Sequence, residues 1–313
     1  MFGIIFDTKL YKKTVMKNVM LVLFTLLISV VSYAQEWMTS LPIAQDLALV
    51  QNKMVLMVWQ ETTKYPYPVS VNDDKGNTII IKNLFENEYI SPLIWKHFVP
   101  VIVSEDRYGE MYDKIKGRRP VNYIDKFNDD SIKIMDVNGN ILNRSIVYTN
   151  FINITELIEN YALNTVLVTP ELTGYRKEKN FYSAFYLASK YMDLALYSRS
   201  KVRSKVIGLG NIYINEAKGF LKDEKEEDLP KLSQRLELLE LHQYLIYNKP
   251  KKVIRQLKRM EKDSIIDVNR PYINFLYFTA YALLKDRENM NAFKSKVSSV
   301  NLNKAQWIIN LND

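Results

Sequence analysis

Carboxylates are the most plentiful reactive groups in the first half of the chain. Glu61, Asp73, Asp74, Asp129 and Asp130 all fall on segments that read as loops. Gathered in one groove, such groups could do general acid–base work, one protonated and one ionised. Scattered, they are solvated turn residues, as Asp73-Asp74-Lys75-Gly76-Asn77 reads. Gly117-Arg118-Arg119-Pro120 is a compact basic loop that could grip a carboxylate or phosphate through its guanidinium forks. Asp136-x-Asn138-x-Asn140 has the start of a calcium loop, but Ile141 and Val147 stand where glycine and glutamate are needed, so a turn is the better reading. Gly208-Leu-Gly210 lies inside a helical pattern and does not form a phosphate loop. The two histidines, His97 and His242, are far apart in sequence. A zinc site takes several His or Cys ligands, so no metal or other cofactor is expected. The chain has no cysteine, which removes disulfides and every thiol mechanism.

The elements that must position these groups follow from the apolar pattern. Ser40–Asn52 has helical spacing, and Met54–Trp59 is an unbroken apolar run that fits a buried strand. Gln60–Thr78, rich in Pro, Tyr, Asp and Asn, reads as a loop. Ile79–Phe98 reads as helix with Pro92 able to kink it, and Phe98–Ser104 as a second buried strand. A short helical piece lies within Glu105–Gly117. Ser131–Asp136 and Ile141–Val147 read as strands joined through Asn138-Gly139, a strong hairpin signal. Asn153–Leu163 closes the segment as a helix.

In this order, Trp37, the Lys53-Met-Val-Leu-Met-Val-Trp59 strand, the Phe98-Val-Pro-Val-Ile-Val103 strand and the Ile132-Lys-Ile-Met-Asp-Val-Asn-Gly-Asn140 hairpin resemble a thioredoxin-family domain over residues 35–165. A different small α/β domain fits the outline as well. The resemblance implies a Cys-x-x-Cys just after the first strand, where this chain has Trp59-Gln-Glu-Thr-Thr-Lys-Tyr-Pro-Tyr-Pro68. It also implies a proline before the third core strand, where this chain has Asp129-Asp130-Ser131. Thiol–disulfide exchange is therefore excluded. What the resemblance leaves is a groove that in the family receives extended polypeptide. Trp59, Glu61, Tyr65, Tyr67, Asp130, Arg118 and Arg119 are the candidate binding residues around it, with no catalytic residue assigned. The Tyr65-Pro-Tyr-Pro68 segment offers stiff aromatic surface of the kind enriched at interfaces, although the same rings could pack the long loop down.

Residues 166–179 read as a linker, with Thr169-Pro170 and Thr173-Gly174 as boundary signals. From 180 to 313 the pattern is helical, about six helices with short turns. Residues 247–250 and 280–284 carry the flavour of a degenerate tetratricopeptide array, and the segment resembles one without its full signature; a plain bundle fits too.

Residues 1–34 read as a secretory signal: lysines, an apolar stretch over 21–31, then Ser32-Tyr33-Ala34. Met1 and Met16 are alternative starts. An exported protein of the periplasm or extracellular space is expected, with no integral membrane segment after cleavage. The leader holds four lysines and one aspartate, so a total of +8 leaves +5 on the remainder. The charges read as interspersed, as in Lys222–Asp228, which argues against a nucleic-acid partner. Asp130-Ser131-Ile132 and Asp263-Ser264-Ile265 match a short O-glycosylation pattern of some bacteria. The expectation is an α/β domain followed by a helical one, binding a protein or peptide without catalysis. An enzyme using the groove carboxylates, and a structural part of an envelope assembly, are the alternatives.

Overall fold

The computed structural model describes residues 36–144, 151–262 and 265–312. The expected leader and the site at Ser264 lie outside the described residues, as do positions 145–147 of the expected last strand. In chain order the first part runs α1 (Leu41–Gln51), β1 (Met54–Trp59), β2 (Val69–Asn72), β3 (Thr78–Ile81), α2 (Ile90–His97), β4 (Phe98–Val103), α3 (Tyr108–Asp113), α4 (Val121–Asn128), β5 (Lys133–Met135), β6 (Ile152–Asn153) and α5 (Ile154–Tyr161). The second part is helical: α6 (Thr169–Lys177), α7 (Phe181–Tyr197), α8 (Ser200–Phe220), α9 (Leu229–Ile246), α10 (Pro250–Met260), α11 (Arg270–Leu283), α12 (Arg287–Lys294) and α13 (Ser299–Asn312).

β1 is the centre of the main sheet because all six of its side chains can be buried, and all are. β4 runs parallel to it, with Met54 opposite Phe98 and Trp59 opposite Val103. β5 lies antiparallel on its other side. Single bridges extend the sheet: Met38 pairs in parallel with Val101, and Ile141 pairs antiparallel with Met135. Across the sheet the order is thus Met38, β4, β1, β5, Ile141. The turn between the last two is closed by the Asp136 N–H on the Asn140 carbonyl at 3.0 Å, with Gly139 at φ 84°, where a side chain would be strained.

Three expectations change. The segment 60–78 is not a plain loop. It carries β2, and with β3 and β6 it builds a second sheet of order β3–β2–β6, the β2–β3 turn resting on Asp73. Thr78-Ile-Ile-Ile81 is strand rather than helix, as a β-branched run prefers. α2 therefore starts only at Ile90, which places Pro92 in the first turn, where its missing N–H costs nothing. α4 was not foreseen. Finally, the expected linker contains α6, with Pro170 in its first turn and Leu172 and Tyr175 buried.

α7 and α8 form a close pair. A Cβ on Gly210 would stand 2.8 Å from the Met192 terminal methyl, so only glycine permits this approach without movement. α13 returns onto α7, α9 and α11, tied by Lys304–Asp193 at 2.7 Å and by the Trp307 ring on Tyr197. In an open repeat array each unit touches only its neighbours; this returning helix gives the region a bundle-like closure. No helix among the described residues is long and apolar enough to cross a membrane.

The two parts meet at Asp136. Its carboxylate accepts the Asn138 and Asn140 backbone N–H groups, each at 2.9 Å. It also accepts the Tyr213 hydroxyl at 2.5 Å and the Tyr191 hydroxyl at 3.3 Å, from α8 and α7. Tyr213 in turn accepts the side-chain amides of Asn138 and Asn140. The Asp-x-Asn-x-Asn run is therefore a turn whose acid is spent on the sheet–helix junction.

Candidate functional site

β1 delivers Trp59 to the end of the sheet, where the chain leaves into a short 3-10 turn, Glu61–Lys64. Trp59 is buried. Its indole N–H donates to the Phe127 carbonyl at 3.0 Å, and its ring packs edge-on to Phe127. The following turn is tied down twice. The Glu61 N–H donates to Glu105 Oε1 at 2.7 Å, and the Thr62 hydroxyl donates to the Asp130 carbonyl at 3.2 Å. The second bond brings the turn after β1 against the loop before β5. These are the two segments that the sequence singled out as neighbours.

Asp129 organises that loop. It receives the Ser131 N–H at 3.0 Å and the Ser131 hydroxyl at 2.7 Å. Lys126 from α4 and Lys133 from β5 approach it at 3.3 and 3.1 Å. Lys133 is fully buried and also donates to the Ser131 carbonyl at 2.9 Å and to the Asp129 carbonyl. Its ammonium stands 5.9 Å from the centre of the Trp59 ring. Lys126 contacts the Ser131 hydroxyl as well.

Burial drives the Lys133 pKa down to about 8, against the pull of Asp129, and lowers that of Lys126 for the same reason. Burial acts in the opposite sense on Asp129, but the two ammonium groups and the Ser131 hydroxyl outweigh it and hold the acid below its ordinary value. The asymmetry has a plain cause. Lys133 is sealed inside, whereas Asp129 keeps about a third of its side chain in water (35%) and remains ionised cheaply.

The candidate binding residues divide between this site and other roles. Trp59 is a core residue at its base. Glu61 is exposed and pairs with Lys64 at 2.6 Å, an exposed pair of little energetic weight. Tyr65 is exposed at 68%. Tyr67 is not part of an open surface: its ring packs on Phe85, and its hydroxyl hydrogen-bonds the Ile132 backbone. Burial, with Asp129 and Asp130 nearby, pushes its pKa up to about 12. Asp130 is exposed beside the turn. The arginine pair splits. Arg118 faces solvent, but the Arg119 side chain is buried and spent on Glu216 of α8 at 2.9 Å and Asn140 at 3.2 Å. The two do not form one anion grip, because the helical part supplies Arg119 with its anion.

The other candidates resolve as structure. His242 is buried against Phe275, with Nδ1 at 3.1 Å from the Tyr272 hydroxyl, and burial lowers its pKa to about 3. His97 ends α2, yet burial and the nearby Lys96 and Lys53 lower its pKa, so it does not act as a cationic cap at neutral pH. Asp73 is held below its usual value by the Asn77 side chain and by backbone N–H groups of its turn. Among the described residues no group of three or more His, Cys, Asp or Glu is placed to hold a metal ion.

Sequence reasoning missed Lys126, Ser131 and Lys133. A signal was present: Lys133 interrupts Ile132-Lys-Ile-Met135, a run otherwise made for burial, and Lys126 and Lys133 flank Asp129 at three and four residues. Comparison of the chain with protein-family models, with curated proteins and with solved structures returned no match.

Proposed function

We propose that the chain is an exported, thioredoxin-like protein in which the redox position has become a non-catalytic surface for an extended polypeptide in the periplasm or cell envelope. Several observations support this reading. The main sheet has β4 parallel to the central β1 and β5 antiparallel on its other side, with single bridges at Met38 and Ile141 extending it, which is compatible with a thioredoxin-type order. The turn after β1 and the loop before β5 lie together, as the thiol pair and its facing loop do in that family.

One observation carries the binding role. The insertion between β1 and α2 exposes Tyr65, Ile79, Ile80 and Tyr89, and it contains β3, an outer strand of its sheet among the described residues. An outer strand with apolar side chains toward water is a template for an added strand. Natural proteins blunt such edges unless they are used.

The enzymatic alternative called for carboxylates drawn together with raised pKa values. Asp73 and Asp129 are instead lowered and bonded into their own turns. The structural-component alternative called for a broad apolar patch on the helical part. The exposed large apolar side chains of that part are the aromatic pairs Tyr182–Tyr186 and Tyr197–Trp307, with Tyr247, Val268 and Val300.

Photocrosslinking groups placed at Tyr65 and Ile80 of the exported protein, in its native envelope, test the proposal. Both positions should capture one common polypeptide, and Tyr65→Ala with Ile80→Thr should cut capture by about tenfold while leaving the melting temperature in place. Capture that is unchanged in the double variant would overturn the assignment. Tyr67→Ala should behave differently, lowering the melting temperature because that ring is packed.

A further inference from the structure

The segment from Lys249 to Lys262 holds seven cations and one carboxylate, Glu261. Lys251, Arg255, Lys258, Arg259 and Lys262 follow at spacings of four, three, one and three, which sets them along one side of α10. Val253 and Leu257 occupy the opposite side and are buried. The five cations are exposed, and among the described residues none makes an ion pair. With Ile254 and Leu284 they line a shallow groove of about 500 Å³.

A matching run of acid lies in the same chain. Asp223, Glu224, Glu226 and Glu227 stand on the turn between α8 and α9, interrupted only by Lys225. Asp228 is already taken by Lys231 at 2.5 Å. Among the described residues no ion pair joins this turn to α10 within the chain, so each surface keeps its charge unanswered.

We propose that the chain associates head to tail, the acidic turn 223–228 of one copy docking along the basic side of α10 in the next. The dimensions agree. Five cations spread over the twelve residues 251–262, along α10 and the turn that follows it, cover roughly 17 Å, and the four free acids reach over at most ~14 Å when extended. A bilayer is the poorer occupant, because no large apolar side chain of this segment is exposed for insertion. The two surfaces are different patches, so the contact is heterologous and propagates into a ring or an open chain rather than closing as a dimer. It rests on exposed charge and dissolves as salt screens it.

Sedimentation of the purified protein at about 0.03 M and about 0.5 M salt reads this directly. Oligomers are expected at low salt and monomers at high salt. Arg255→Glu with Arg259→Glu removes one face, and Glu224→Lys with Glu227→Lys removes the other. Each variant alone should be monomeric. Their mixture should form a one-to-one dimer and stop, since each retains one intact face. Arg255, Arg259 and Glu227 are exposed and Glu224 is partly so, and an unchanged circular dichroism spectrum and melting temperature check that the fold is kept. Lys251→Glu with Lys258→Glu, against Glu226→Lys, provides a second pair should the first fold poorly. A wild-type protein that is monomeric at both salt concentrations overturns the proposal, as does a mixture that fails to pair. Binding to anionic vesicles or to polyglutamate without self-association assigns the basic face to another occupant and overturns it too.

Discussion

Replacing Asp136 by alanine should be among the most damaging single changes in this chain. Besides a longer contact from the Asn140 side-chain amide at 3.4 Å, the carboxylate answers four donors: the Asn138 and Asn140 backbone N–H groups and the hydroxyls of Tyr191 and Tyr213. All lie at the junction of sheet and helices, away from water. A stranded buried donor costs about 1–3 kcal/mol. Four at the low end give about 4 kcal/mol. Removing the acid also relieves the cost of burying it, the cause that raises its pKa, so a net loss of about 3–5 kcal/mol is expected. Tyr213→Phe removes only one of the donors and should cost about 1–2 kcal/mol. The two changes act on one contact, so the double variant should fall short of additivity by about 1 kcal/mol or more. Urea unfolding of the four proteins measures this. A further sign is available from pH. The folded pKa of Asp136 lies above its unfolded value, so its contribution is full below about pH 4 and is lost as pH rises through the folded pKa. The deficit of Asp136→Asn should therefore widen as the pH falls toward 4. A loss under about 1 kcal/mol for Asp136→Ala, or strict additivity with Tyr213→Phe, would refute the role of this acid as the staple between the two parts.

Three further variants test buried titratable groups. Asp129→Ala leaves Lys126 and Lys133 without their shared anion and should cost about 3 kcal/mol, the low end for a broken buried pair because Asp129 is about one-third exposed (35%). Lys133→Met, which removes the buried cation but leaves Lys126 for Asp129, should be close to neutral in the same denaturation assay. His242→Phe should cost about 1 kcal/mol near pH 7.5 through the lost Tyr272 bond. The folded pKa of His242 is about 3, so the wild type loses stability as pH falls from about 6.5 toward 3, by about 1.4 kcal/mol per unit. The variant lacks that loss and should become the more stable protein near pH 4.5, and parallel acid titrations that never cross would count against a neutral buried histidine.

Burial was legible in the sequence and long-range pairing was not. Met54–Trp59 and Phe98–Val103 announce themselves because a strand covered on both faces must be apolar throughout. The helices that bury one face, such as Asn153–Leu163 and Leu232–Tyr247, are visible for the matching reason. β2 and β3 were hidden because Pro66, Pro68 and the Asp-Asn turn dominate the composition around two four-residue strands. Arg119 read as a free anion grip because Glu216, its partner, is 97 residues away. Tyr213 lies 77 residues from Asp136, and nothing local marks either as half of a contact. The basic side of α10 was lost in a whole-chain view of charge, since the acidic turn 223–228 balances it in the count but not in space.

The same division between filled and open groups is what the proposed binding role rests on. Catalysis needs a group with unmet valence, positioned at a surface the substrate can reach. The buried groups here are bonded to one another. Ser131 bonds Asp129 through both its hydroxyl and its N–H, and Lys133 is surrounded by the Asp129 carboxylate and two backbone carbonyls. The buried polar atoms left unpartnered among the described residues, such as Thr165 Oγ1 and His242 Nε2, lie elsewhere. Among the described residues the exposed groups of the turn, the facing loop and the insertion include Glu61, Asp130, Tyr65, Ile79 and Ile80, of which the last three offer area and an outer strand. A thiol pair in this place would be reactive because its charge is incompletely answered. In the Lys126–Asp129–Lys133 cluster two ammonium groups share one carboxylate, which ties α4 to β5 through the loop between them; on the proposed reading it is the insertion that meets the partner.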